Sequence, residues 1–193
     1  MILLVVGLIL FLGIHIVPMF PAQRAALVSR LGENGCKGLF TLVAAVGLGL
    51  VIYGYGVARF EGSPQIYDPP AWLRHVTMLL MVPVFIFLVA AYVPSRIRNA
   101  LKHPMLVAVK LWALAHLLGN GDLASVLLFG GFFAWAVADR ISVKRRGPGA
   151  GQPDFAAGNP GKYSDVVVIL IGLVLYGLFA WKLHTLLIGV PVA

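Results

Sequence analysis

A chain of 193 residues that is 60% hydrophobic, with 15 Lys and Arg against 7 Asp and Glu, lacks the charged surface a water-soluble domain of this size needs. Its net charge of +8 comes from basic residues placed between apolar runs, a pattern that fits lipid headgroups and argues against nucleic acid as a partner. A single cysteine excludes an internal disulfide framework.

A hydrocarbon core of about 30 Å needs roughly 20 apolar residues per helix, and six segments come close. The first, Ile2–Phe20, has no basic leader and no small-residue cleavage site, so it reads as a retained helix ending near Pro18. Cys36 follows beside Lys37, in what reads as a short loop with a solvent-facing thiol. The second segment, Leu39–Val57, carries Gly47, Gly49, Gly54 and Gly56, where another helix or a flat ring can approach closely. The third is Trp72–Val93, with Pro83 at an expected kink and Pro94 at its end. The fourth and fifth, Met105–Leu118 and Leu123–Val137, are short and joined by Gly119-Asn120-Gly121-Asp122. That turn predicts a helical hairpin with Asp122 as the N-cap of its second arm. Gly147–Gly161 reads as a flexible cytoplasmic loop. In the sixth segment, Val166–Leu187, Tyr176 and Trp181 suit an interfacial aromatic belt.

Most basic residues follow the first, third and fifth segments: Arg24, Arg30 and Lys37; Arg96, Arg98 and Lys102; Arg140, Lys144, Arg145, Arg146 and Lys162. The fold class is therefore all-α: one polytopic membrane bundle over residues 1–193, with six transmembrane helices and both termini on the non-cytoplasmic side.

Ionisable groups inside a bilayer are functional candidates by default. His15 and His116 lie inside the first and fourth segments, as structural histidines sharing a hydrogen bond or as metal or haem ligands. His75, His103 and His184 lie near segment ends and read as interfacial. His103 and His116 are about 20 Å apart along one helix, so they cannot share an iron, and a bis-histidine haem needs two helices. Trp112, His116 and Asn120 are spaced i, i+4, i+8, giving one helix face an aromatic and polar stripe. Zinc hydrolysis finds no His-Glu-x-x-His and no carboxylate inside a span. A small transporter is a further class, since Lys110 and His116 share a span, but the two halves show no duplication.

The run Arg98-Asn-Ala-Leu-Lys-His103-Pro104, followed by Leu111-Trp112-Ala-Leu-Ala-His116-Leu-Leu-Gly-Asn120-Gly121-Asp122-Leu-Ala-Ser125-Val-Leu-Leu-Phe129-Gly130, resembles the NnrU family. The first span with its histidine, then Arg24 and Leu31-Gly32, resembles it too, so the likeness covers about residues 1–146. It implies a multi-pass protein of the bacterial inner membrane, with a redox-linked part in nitrite and nitric oxide reduction or a non-catalytic accessory role beside those reductases. The family is also similar to plastid zeta-carotene isomerases, membrane enzymes carrying haem b. That similarity implies axial ligation by His15 and His116, with Trp112 and Asn120 beside the cofactor, and a small hydrophobic ligand. Ala113 stands where the isomerase has a cysteine, and a histidine expected near Gly56 is missing. These departures tell against the isomerase chemistry carrying over with haem binding, and a redox-gated isomerisation stands beside the redox-linked role as what the resemblance implies. On the topology above, His15 lies about 8 Å and His116 about 17 Å from the cytoplasmic edge. A helix tilt of about 20° narrows that gap, and His75 is the fallback partner of His116.

Overall fold

The structure, a computed structural model, describes residues 1–147, 150, 158–190 and 192, so most of the expected Gly147–Gly161 loop lies outside the described residues. These residues form helices α1 (Ile2–Ile16), α2 (Pro21–Phe60), α3 (Leu73–Ala90), α4 (Arg96–Leu101), α5 (Pro104–Gly119), α6 (Leu123–Arg146), α7 (Ser164–Leu178) and α8 (His184–Ile188). A 3-10 turn over Val17–Met19 follows α1, and a π-helical turn over Phe179–Leu183 joins α7 to α8. No strand forms among the described residues. Among the described residues five stretches are long and apolar enough to cross a membrane: Ile2–Met19, α2, α3, α6 and Ser164–Ile188. At 16 residues, α5 is shorter.

Two expectations need correction. Residues 21–38 are helical rather than a loop, and Cys36 sits half-buried on α2. Likewise Arg140, Lys144, Arg145 and Arg146 extend α6 past Val137. Lys and Arg are good helix formers and favour a helix C-terminus, where they meet the negative end of the dipole. The bend in the long α2 falls at Gly32, with φ 70° and ψ 167°, a conformation open essentially to glycine alone.

The chain divides into two compact units. The first comprises Met1–Asp68 and Asn120–Ser142. Here α1 and α2 run antiparallel and nearly touch along their backbones. A β-carbon on Gly7 would lie 2.6 Å from the Val51 amide, and one on Gly47 equally close to that of Phe11. Gly54 meets the Leu4 backbone in the same way. Of the glycines in the second segment, Gly47 and Gly54 therefore serve helix packing, while Gly49 and Gly56 face open space. At one end of this unit, Ile66 and Tyr67 both donate to the Gly121 carbonyl, and Leu123 donates to that of Pro64. This clips the segment after α2 onto the turn before α6.

In the second unit, Pro69–Gly119 and Val143–Ala193, α3 packs between α5 and α7. Gly172 lets α7 approach the Ile86 backbone. Two hydroxyls are spent inside the unit: Thr77 donates to the Ala115 carbonyl at 2.8 Å and Tyr176 to that of Met78 at 3.0 Å. Tyr176 thus turns inward, while Trp181 is exposed as an interfacial aromatic is expected to be. Pro83 lies inside α3, and the buried Arg98 donates from its guanidinium to the Ala91 carbonyl.

Between α4 and α5, Lys102 adopts φ 64° and ψ −44° while the His103 amide donates to the Leu101 carbonyl at 2.7 Å. This is a γ-turn with positive φ, strained for any side chain. Lys102→Gly is expected to raise stability by about 1 kcal/mol, seen as a higher midpoint of thermal unfolding in detergent. An unchanged or lower midpoint would mean that the lysine side chain stabilises the turn by more than the backbone loses.

Candidate functional site

His15 occupies the last turn of α1, and its Nδ1 lies 2.6 Å from the Phe11 carbonyl. A carbonyl only accepts, so Nδ1 carries the proton and Nε2 presents the lone pair. Three aromatic rings surround the imidazole: Phe11 at 4.3 Å between centroids, Phe40 edge-on at 5.0 Å and Trp135 edge-on at 5.9 Å. The Trp135 indole also donates to the His15 carbonyl, tying α6 to the end of α1.

His116 repeats this local arrangement in the second unit. It lies in the last turn of α5, and its Nδ1 donates to the Trp112 carbonyl at 2.9 Å. The Trp112 ring stands 5.5 Å away at 52°. The two imidazoles therefore share a tautomer set by the carbonyl four residues earlier. Histidine ligands of metals commonly have this form, with the outer nitrogen held by a carbonyl and Nε2 directed at the metal.

The other expected site residues lie on other elements. Asn120 falls just beyond α5, so it leaves the helical stripe of Trp112 and His116, and its carbonyl accepts from the Tyr67 hydroxyl at 2.9 Å. His75 is exposed in the first turn of α3. His103 precedes α5 and its carbonyl accepts from Val107, in keeping with a capping role. His184 donates from Nδ1 to the Val190 carbonyl at 2.6 Å, across a turn closed by Gly189 at φ 77°. Among the described residues, no three His, Cys, Asp or Glu come together to hold a metal ion.

One polar cluster escapes the sequence pattern. Asp122 caps α6 as expected, accepting the Ser125 amide at 3.0 Å and the Ser125 hydroxyl at 2.5 Å. Because that hydroxyl spends its proton on Asp122, its oxygen accepts from the Tyr55 phenol at 2.9 Å. The Arg59 guanidinium lies 5.8 Å from the Tyr55 ring centre. Seventy positions separate Tyr55 from Ser125, too far for any local signal to pair them. Every polar group in this chain of bonds has a partner, so it works as a clasp between α2 and α6.

Nearby, partial burial and then the Asp122 charge hold the Tyr67 phenol above its ordinary value. The proton is favoured in the folded state, so this contribution is complete below the ordinary tyrosine range and fades as pH rises through the elevated value. An ultraviolet difference titration of wild type against Tyr67→Phe is expected to show one phenol ionising late. Asp122→Asn is expected to move it back toward the ordinary value.

Apolar helices of spanning length and buried polar clasps place this chain in the class of all-helical membrane proteins. It belongs to the NnrU protein family, whose sequence profile matches residues 3–192. Membership supports an association with denitrification. No curated protein and no solved structure matches the chain.

Proposed function

We propose that this protein binds haem b in the bacterial inner membrane, with His15 and His116 as axial ligands and a redox-linked role supporting nitrite and nitric oxide reduction. The observation that carries the reading is the shared local geometry of the two histidines, each with Nδ1 committed to the carbonyl four residues back. Bound haem b supplies a one-electron redox centre. His15 and His116 would hold the iron through their free ring nitrogens, with the carbonyl bonds fixing tautomer and ring angle and raising ligand basicity. Trp112 offers a flat apolar surface beside His116. Six spans with both termini outside complete the proposed topology, α5 being the short one, and His75 is the fallback ligand. The test is an absorption spectrum of the detergent-purified protein, oxidised and reduced, from cells supplied with haem: a Soret band is expected, and a colourless sample refutes the reading.

A second reading makes the chain a non-catalytic accessory factor for the same reductases, with structural histidines. The three aromatic rings packed around His15 favour it. The double variant H15Q/H116Q separates the two: preserved reductase activity in cells supports the accessory role, and lost activity supports haem ligation.

A further inference from the structure

In an unbroken helix Arg24 and Phe40 would stand about 24 Å apart along the axis. Both line one groove, together with Glu33, Cys36, Lys37 and Thr41. The bend at Gly32 makes this possible, by folding the first part of α2 back toward the rest. Within residues 21–31, Arg24 is exposed and shares a helical face with Leu27 and Val28, both half-buried.

The charges in the groove are unequal. Lys37 holds the Glu33 carboxylate at 3.4 Å, which occupies the acidic group. Among the described residues Arg24 has no ion pair, so the groove keeps one uncompensated guanidinium. Immediately beyond it, α2 presents Leu39, Leu42 and Val46 as an exposed apolar ridge at helical spacing. The groove also lies at the α2 end where the apolar run of α1 stops, the level at which a bilayer spanned by that run would place its headgroups.

We propose that this groove is a binding site for an anionic phospholipid, its phosphate on Arg24 and its acyl chains along Leu39, Leu42 and Val46. A guanidinium fork matches two phosphate oxygens. A choline headgroup would add a cation beside Arg24 and Lys37, so the site selects an anionic lipid over a zwitterionic one.

The test uses the full-length protein in bilayers of phosphatidylcholine alone and in an equimolar mixture with phosphatidylglycerol, with spin-labelled lipid of each type. Wild type is expected to immobilise phosphatidylglycerol in preference to phosphatidylcholine, and R24Q to weaken that preference roughly fivefold. Gly32→Ala, which forbids the bend, is expected to weaken it as well. R145Q, which removes an exposed cation at the end of α6, is expected to leave it intact. Equal immobilisation of the two lipids by wild type, or an R145Q loss as large as that of R24Q, overturns the proposal. Should the variants fail to fold, Cys36 gives a reading on wild type, since it lines the groove and is the one cysteine of the chain. Its reaction with a maleimide is expected to be slower with phosphatidylglycerol present, and equal rates in the two bilayers overturn the site.

Discussion

Replacement of His116 by alanine is expected to remove the Soret absorption of haem-supplied protein entirely, while helix content and thermal unfolding in detergent stay near those of wild type. The imidazole sits in the last turn of α5 with its Nδ1 bonded to its own helix, so that bond is local to the turn. Alanine is also the best helix former, which limits the cost to α5. On the proposed function the replacement would also remove one of the two side chains that hold the iron, which nothing else in the turn replaces. His15→Ala is expected to remove the band as well, and to cost stability besides, because three aromatic rings lose the group they pack around. Retention of the wild-type band in both single variants and in the double variant would falsify ligation by this pair, and His75→Ala is then the next replacement to make.

The second large effect is expected at Gly121. Its carbonyl accepts from both Ile66 and Tyr67, and a β-carbon placed on it would overlap the Tyr67 carbonyl oxygen. The obstacle is backbone, which cannot rotate aside as a side chain can. Gly121→Ala is therefore expected to destabilise the protein by about 3 kcal/mol or more, by opening the clip between the residues after α2 and the turn before α6. Gly13→Ala provides the contrast: the same added methyl meets nothing within 4 Å, and helix propensity alone makes it neutral or stabilising by up to about 1 kcal/mol. Similar unfolding midpoints for the two variants would show that the clip yields more easily than its geometry indicates.

The apolar helices were legible because lipid imposes a length and composition that few other environments demand. Asp122 was legible for a different reason: capping is local, and its partner is three residues away. The helical course of residues 21–38 was hidden, because hydropathy finds the apolar run and is silent on a basic, mixed helix that precedes it. Gly32 marked only where that helix bends. Gly47 and Gly54 look the same in sequence as Gly49 and Gly56. Only the face that α1 packs against, seven residues apart on α2, separates them. The bonds from His15 and His116 to their own helices follow from their last-turn positions, and so lay within reach of local reasoning. The aromatic ring around His15 did not, since Phe40 and Trp135 arrive from distant parts of the chain.

The π-helical turn at Phe179–Leu183 bears on how the C-terminal stretch should be read. An α-helix advances about 100° per residue, and a π turn advances less, so the azimuth of every later side chain is offset from the one that α7 dictates. A helical wheel drawn straight through Ser164–Ile188 would aim His184 in the wrong direction.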